Sequence, residues 1–178
     1  LSKPSTMRNL IALIVLTLGS QLCAQDFALA NTDSSDFFNF WEGTWEGTWP
    51  EANGAVGKAT NLIEWTTGGK VLQENFEITE GQNKGFFGTS ISVFNANTKI
   101  WRQAWADNQG GYFDFIGEFD GDKRIFKTHP RDLNGQTVIS RMVFYDLKKD
   151  SFTWDWDRST DGGETWTLNW RISYVRVN

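Results

Sequence analysis

Trp41-Glu42-Gly43-Thr44-Trp45-Glu46-Gly47-Thr48-Trp49 alternates strictly between two kinds of side chain. Trp41, Gly43, Trp45, Gly47 and Trp49 share one parity, and Glu42, Thr44, Glu46 and Thr48 share the other. Successive residues of an extended chain point to opposite faces, so this pattern predicts a half-buried strand with an aromatic inner face. The same period returns downstream. Phe113, Phe115, Gly117 and Phe119 form one face of a segment, Phe152, Trp154 and Trp156 another, and Trp166, Leu168, Trp170, Ile172 and Tyr174 a third. Clusters of Gly, Asn, Asp and Ser punctuate these runs at intervals of about ten residues, as turns do.

The punctuation predicts roughly ten strands, near 41–49, 57–65, 70–79, 85–94, 100–107, 111–120, 123–128, 136–145, 151–158 and 164–177. No stretch reads as a long amphipathic helix, although residues 36–40 suit one helical turn that plugs an end. Short turns between many antiparallel strands suit an all-β, single up-and-down β-barrel, which removes exposed sheet edges. A two-sheet sandwich is the other architecture this pattern allows. Parity does not by itself assign the inner face, because Ile139, Val143 and Tyr145 make the opposite face of one strand apolar as well.

The first segment reads differently. Lys3 and Arg8 precede the run Leu10–Leu18, LIALIVLTL. The run is shorter than the ~20 residues needed to cross a bilayer and has the length of a signal-peptide core. The expected organisation is a signal peptide over 1–24, a lead with a short helical turn over 25–40, and a barrel domain over 41–178. Cleavage after Ala24 fits best, and Ala28-Leu29-Ala30 offers a second site. An uncleaved anchor and a lipoprotein built on Cys23 are the alternatives, the latter disfavoured because Leu22 precedes the cysteine. The implied location is periplasmic or secreted, without stable membrane insertion after cleavage. Loss of Cys23, the one cysteine, leaves no thiol, so stability must come from the core.

The chain has 178 residues and a formal charge of -5. Without Lys3 and Arg8 the 17 basic residues become 15 against 22 acidic, a charge of -7 with no basic cluster. Nucleic acid and anionic membrane surfaces are therefore poor partners. Ten tryptophans and fourteen phenylalanines supply an aromatic core despite modest overall hydrophobicity.

Three motifs occur in order along the chain: Phe37-Phe38-Asn39-Phe40-Trp41-Glu42-Gly43-Thr44-Trp45, Trp101-Arg102-Gln103-Ala104-Trp105-Ala106-Asp107-Asn108, and Ser159-Thr160-Asp161-Gly162-Gly163-Glu164-Thr165-Trp166. Together they resemble the DUF1579 family of lipocalin-like bacterial proteins, and the likeness spans most of the chain after the signal. Gly43-Thr44-Trp45 also resembles the G-x-W start of the calycins. The resemblance implies a barrel with a central cavity and no particular reaction.

A barrel of this size can hold one small ligand among apolar walls with a few placed polar groups. If the aromatic faces point inward, Trp45, Trp105, Phe113, Phe115, Trp154 and Trp156 line the interior, with Gln103 and Asp107 as polar contacts. The plainer reading is that the rings only fill the core. Arg102, Arg141 and Arg171 lie inside strands. Turned inward, Arg141 could clamp a carboxylate or phosphate; turned outward, each would form a surface ion pair. The expected function is binding of a small, partly apolar or aromatic ligand, with no cofactor or metal.

Two other chemistries are in view. Carboxylate pairs such as Asp155 with Asp157, or Glu42 with Glu46, could serve an isomerase, a cyclase or a glycan-acting enzyme in the same cavity. His129 could ligate haem iron, though its place before Pro130 suits a solvent-facing turn. One histidine is too few for an ordinary zinc site. A nucleophilic triad is not readable, since no G-x-S-x-G elbow is present. Asp155, Asp157, Ser159 and Asp161 start like a calcium loop but lack its required Gly and Glu, having Thr160 and Trp166 there. Ser159-x-Asp161-x-Gly163-x-Thr165-Trp166 instead resembles an Asp-box hairpin, a structural turn repeated in sialidase-like propellers.

Overall fold

The computed structural model describes residues 34–52 and 54–177. The signal segment, Cys23 and both cleavage sites lie outside the described residues. Two short 3-10 turns, Ser34–Asp36 and Asn39–Trp41, lead into eleven strands: β1 Gly43–Pro50, β2 Val56–Thr66, β3 Val71–Glu80, β4 Phe87–Asn95, β5 Ile100–Asp107, β6 Tyr112–Asp120, β7 Lys123–Thr128, β8 Arg131–Leu133, β9 Gln136–Lys148, β10 Ser151–Ser159 and β11 Thr167–Val177.

Ten of these form a closed antiparallel barrel. The order runs β10-β11-β1-β2-β3-β4-β5-β6-β7-β9, and β9 pairs back onto β10. Neighbours in sequence are neighbours in space, except that β8 stands aside and pairs with the start of β9. Asn134 (φ 54°) and Gly135 (φ 79°) turn that small hairpin. Two consecutive left-handed residues match the twist of the strands they join. The all-β, up-and-down barrel read from the periodicity is the fold, it agrees with the lipocalin-like barrel that the resemblance implied, and the sandwich is set aside.

The inner face follows the aromatic parity. Trp45 on β1, Ile63 on β2, Leu72 and Phe76 on β3, Trp101 on β5, Phe115 on β6 and Phe126 on β7 are all buried. So many rings fit inside because small residues sit opposite them. A Cβ at Gly47 would come within 2.8 Å of both Ile172 and the Tyr174 ring. One at Gly88 would overlap the indole of Trp105. Both glycines are required by close approach of a ring, not by backbone conformation.

The parity fails in β11. Trp156 pairs with Trp170 but Asp157 pairs with Leu168, so Asn169 is an extra residue on β11. This bulge turns everything before it to the other face. Leu168 is exposed, and Trp166 lies on the outer wall instead of beside Trp170.

The two 3-10 turns close one end. Phe38 stacks on Phe126 with centroids 4.3 Å apart and meets Trp101 edge-on at 5.2 Å. Side chains of the barrel donate to the turn's carbonyls: Trp101 Nε1 to Ser34 O at 2.7 Å, Arg124 Nε to Phe37 O at 3.1 Å, and Trp45 Nε1 to Trp41 O at 2.8 Å. Arg176 reaches Glu42 O at 2.7 Å and Phe40 O at 3.2 Å while lying 4.0 Å over the Trp45 ring. Short turns leave carbonyls unpaired, and buried ones need donors. Phe38→Ala should therefore open a void at the plug, cost about 3–5 kcal/mol and lower Tm by roughly 10 °C. Thermal denaturation checks this; an unchanged Tm would mean the plug carries no weight.

Candidate functional site

Above the plug, the barrel encloses a cavity of about 200 Å³. Trp41 forms part of its floor. Its walls are Phe76 from β3, Trp105 from β5, Phe113 and Phe115 from β6, Met142 and Phe144 from β9, Trp154 and Trp156 from β10, and Trp170, Ile172 and Tyr174 from β11. Phe86, in the β3–β4 turn, and Asp107, at the end of β5, lie toward the opposite end from the plug. Apolar cavities of about 150 Å³ admit a benzene-sized guest, so this one has room for a single-ring molecule with a short polar arm.

The rings are ordered against one another. Trp154 meets Trp170 edge-on at 5.6 Å, and Phe113 meets Trp156 edge-on at 5.6 Å. Such pairs hold each other in place.

Two carboxyls are present in this wall. Glu74 on β3 is 6% exposed. Asn61 Nδ2 on β2 donates to its Oε1 at 2.8 Å, and Ser90 Oγ on β4 donates to Oε2 at 2.7 Å. Burial penalises its charge and pushes the pKa from 4.5 up to about 7, against the opposing pull of Ser90 and Asn61. Among the described residues no cation offsets the burial. Tyr174 is nearby on β11. Burial pushes its phenol well above the ordinary value, with the Glu74 charge acting in the same sense and Asn61 against.

Asp107 behaves oppositely. Burial opposes its ionisation, but the amide of Gly111, the Trp105 indole and the amide of Gln109 together hold it below its ordinary value. Trp105 Nε1 reaches Asp107 Oδ2 at 3.1 Å, and the Gly111 amide reaches Oδ1 at 2.8 Å. Two cavity atoms lack partners: the Asn61 Oδ1 acceptor and the Trp41 Nε1 donor are both buried without a hydrogen bond.

Among the residues singled out in the sequence, Trp105, Phe113, Phe115, Trp154 and Trp156 come together in the cavity wall, as does Asp107. Trp45 points inward but sits below the cavity, packed on Phe152 at 4.8 Å. Gln103 is buried and donates to Ser92 Oγ at 2.9 Å, away from the lining.

Arg141 is on the outer wall. Its Nε donates to Asp157 Oδ2 at 3.0 Å, and its guanidinium stacks 3.8 Å over the Trp166 ring. Arg171 forks onto Asp155 with two bonds of 2.7 Å, and Arg102 Nη2 is shared between the two oxygens of Asp114 at 3.0 and 3.2 Å. Arg141 alternates with inward Ser140 and Met142, so its parity turns it away from any ligand in the barrel. The pair Asp155 and Asp157 likewise faces away from the cavity, buried beneath the arginines that hold it, and Glu42 and Glu46 are exposed. His129 is exposed beside Pro130 and does not line the cavity, so a haem iron there would have no imidazole from this chain.

The 159–166 segment is a turn held by its own side chains. Asp161 Oδ1 accepts from the amides of Glu164 and Thr165 at 3.0 Å, and Gly163 N donates to Ser159 Oγ at 2.8 Å. The Thr165 hydroxyl and amide, with Ser159, hold the Asp161 carboxyl below the usual range. That is the Asp-box reading, with the acidic oxygens spent on the backbone. Among the described residues no group of three His, Cys, Asp or Glu is placed to hold a metal ion.

Glu74 itself was the residue parity could have flagged. It stands between Leu72 and Phe76 on the apolar face of β3, as Asn61 stands between Ala59 and Ile63 on β2.

Two outcomes follow. The native state holds the Glu74 proton more tightly than the unfolded chain does, so its stabilisation is whole below pH 4.5 and is lost as pH rises through about 7. The loss should reach about 3 kcal/mol, and Glu74→Gln should abolish it. Urea melts of both proteins between pH 4 and 8 measure the difference; parallel curves would show an ordinary carboxyl. Arg141→Ala should cost about 1–3 kcal/mol, by leaving Asp157 without its partner, yet leave ligand affinity within twofold. A large fall in affinity would show that Arg141 does reach the ligand.

A scan against protein-family models finds no match for this chain, and a search of curated proteins finds none either. The likeness to the DUF1579 proteins rests on the three sequence motifs.

Proposed function

We propose that this protein is an exported binding barrel of the lipocalin-like DUF1579 kind, which holds one small, partly apolar ligand in the Trp/Phe-lined cavity. The observation that carries the reading is a cavity of about 200 Å³ left open inside an otherwise tightly packed aromatic interior. Closed interiors usually pack to the density of organic crystals. An apolar space with a few polar groups on its wall is the ordinary form of a ligand site. Export is inferred from the basic, then apolar, start of the chain.

One observation favours a second reading. Glu74 is an inward carboxyl in the cavity whose pKa of about 7 suits proton transfer near neutral pH. In that reading Glu74 is the general acid or base acting on the bound molecule, and turnover of a candidate substrate should fall by ~10²–10⁴-fold in Glu74→Gln.

Native mass spectrometry of protein purified from its own periplasm or medium should show a retained mass. Refolded, emptied protein should show a saturable change of tryptophan emission with single-ring aromatics. Met142→Trp, which places a larger side chain in the cavity wall, should abolish both. Protein that retains nothing and gives no saturable signal would refute the binding reading.

A further inference from the structure

The cavity wall is charged in one sense. Among the described residues it carries two carboxyls, Glu74 and Asp107, and no lysine, arginine or histidine. An anionic guest would meet these groups with no counter-charge to replace its lost hydration. A fatty acid or other carboxylate is therefore a poor occupant, although the rings would welcome its tail. A cation is in the opposite position. Five indoles, those of Trp41, Trp105, Trp154, Trp156 and Trp170, line the space, and the faces of such rings attract cations.

The hydrogen bonds around Glu74 and Asn61 point the same way, whereas the unpaired Trp41 Nε1 on the floor is a donor and suits an acceptor elsewhere on the guest. Each oxygen of Glu74 accepts one bond, from Asn61 or Ser90. A carboxylate has about four acceptor sites, so two remain. Asn61 is 1% exposed, lines the cavity, and its Oδ1 has no donor. The vacant capacity around Glu74 and Asn61 is thus for accepting, and an ammonium group has only donors.

Building on the binding reading above, we propose that the cavity takes a cationic amine with a compact apolar or aromatic body, its nitrogen meeting Glu74 and Asn61. The indoles enclose the body and the carbon atoms next to the nitrogen. Asp107, held ionised by its turn amides, adds attraction at the open end.

The ligand then competes with the proton on Glu74. The groups facing Glu74 are Asn61 from β2, Ser90 from β4 and the neutral phenol of Tyr174 from β11; Asp107 on β5 shares the cavity and carries the other charge. None is a cation, so the amine is the first positive charge Glu74 would meet. Affinity should rise with pH until Glu74 ionises in the free protein, near pH 7, and level off above it. An alkylammonium stays charged throughout that range.

The test uses three probes of one shape: 2-phenylethylamine, 2-phenylethanol and phenylacetate, titrated by tryptophan emission and calorimetry at pH 5.5 and 8.0. The amine should bind tightest at pH 8.0 and weaken up to about thirtyfold at pH 5.5, while the alcohol stays flat. Glu74→Gln, which is isosteric, should weaken the amine at least tenfold at pH 8.0 and remove its pH dependence. The pH series on the unaltered protein gives the answer even if that variant folds poorly. Binding of alcohol or phenylacetate as tightly as the amine, or an amine affinity independent of pH, overturns the amine assignment and leaves the cavity reading standing. Absence of binding by all three overturns both.

Discussion

The barrel depends on how its lower end is stopped. Ten strands enclose more width than strand side chains alone readily fill. The chain solves this by folding the residues before β1 back beneath the opening. Apolar contact alone would leave the turn's half-buried carbonyls without donors. Trp45, Trp101, Arg124 and Arg176 supply the donors, each from a different strand. Two of the four also use their cationic planes against Phe37 and Trp45. The plug and the wall thus specify each other, and the cavity is the volume that remains above them.

The middle of the barrel breaks the rule that governs its ends. Below, rings pack on rings; above, a carboxyl sits among them with only neutral donors for company. A buried, partnered but uncompensated Glu costs stability near neutral pH, and a merely structural barrel could place Leu there. Such local contradictions are where function usually resides. The outer wall shows what a structural use of charge looks like in the same protein: Asp155 and Asp157, each answered directly by an arginine.

Alternation made the barrel legible. Strand positions followed from period two and turn residues, and five rings of the cavity followed from the same face. The failures have physical causes. The bulge at Asn169 is one unpaired residue, and no residue type marks it, so alternation alone places Trp166 on the wrong face. Apolar neighbours leave the direction of Arg141 open in the sequence, because both faces of β9 are buried there, with Ile139 beneath the Asp-box turn. Which rings touch the cavity and which lie below it is a question of depth along the barrel, and alternation carries no information on depth. Glu74 was visible as an acidic residue in an apolar register, but its partners Asn61 and Ser90 come from other strands, and only the pairing register brings them together.

The stopped end has a kinetic corollary. A guest of the proposed kind would have to enter and leave through the end opposite the plug, among the turns at 81–86 and 108–111. Whatever narrows that rim slows arrival and departure in equal proportion, so residence time can be tuned there without altering the equilibrium. In the proposed binding barrel the equilibrium would be set lower down, among the rings and the carboxyl, and the two properties would be free to evolve separately.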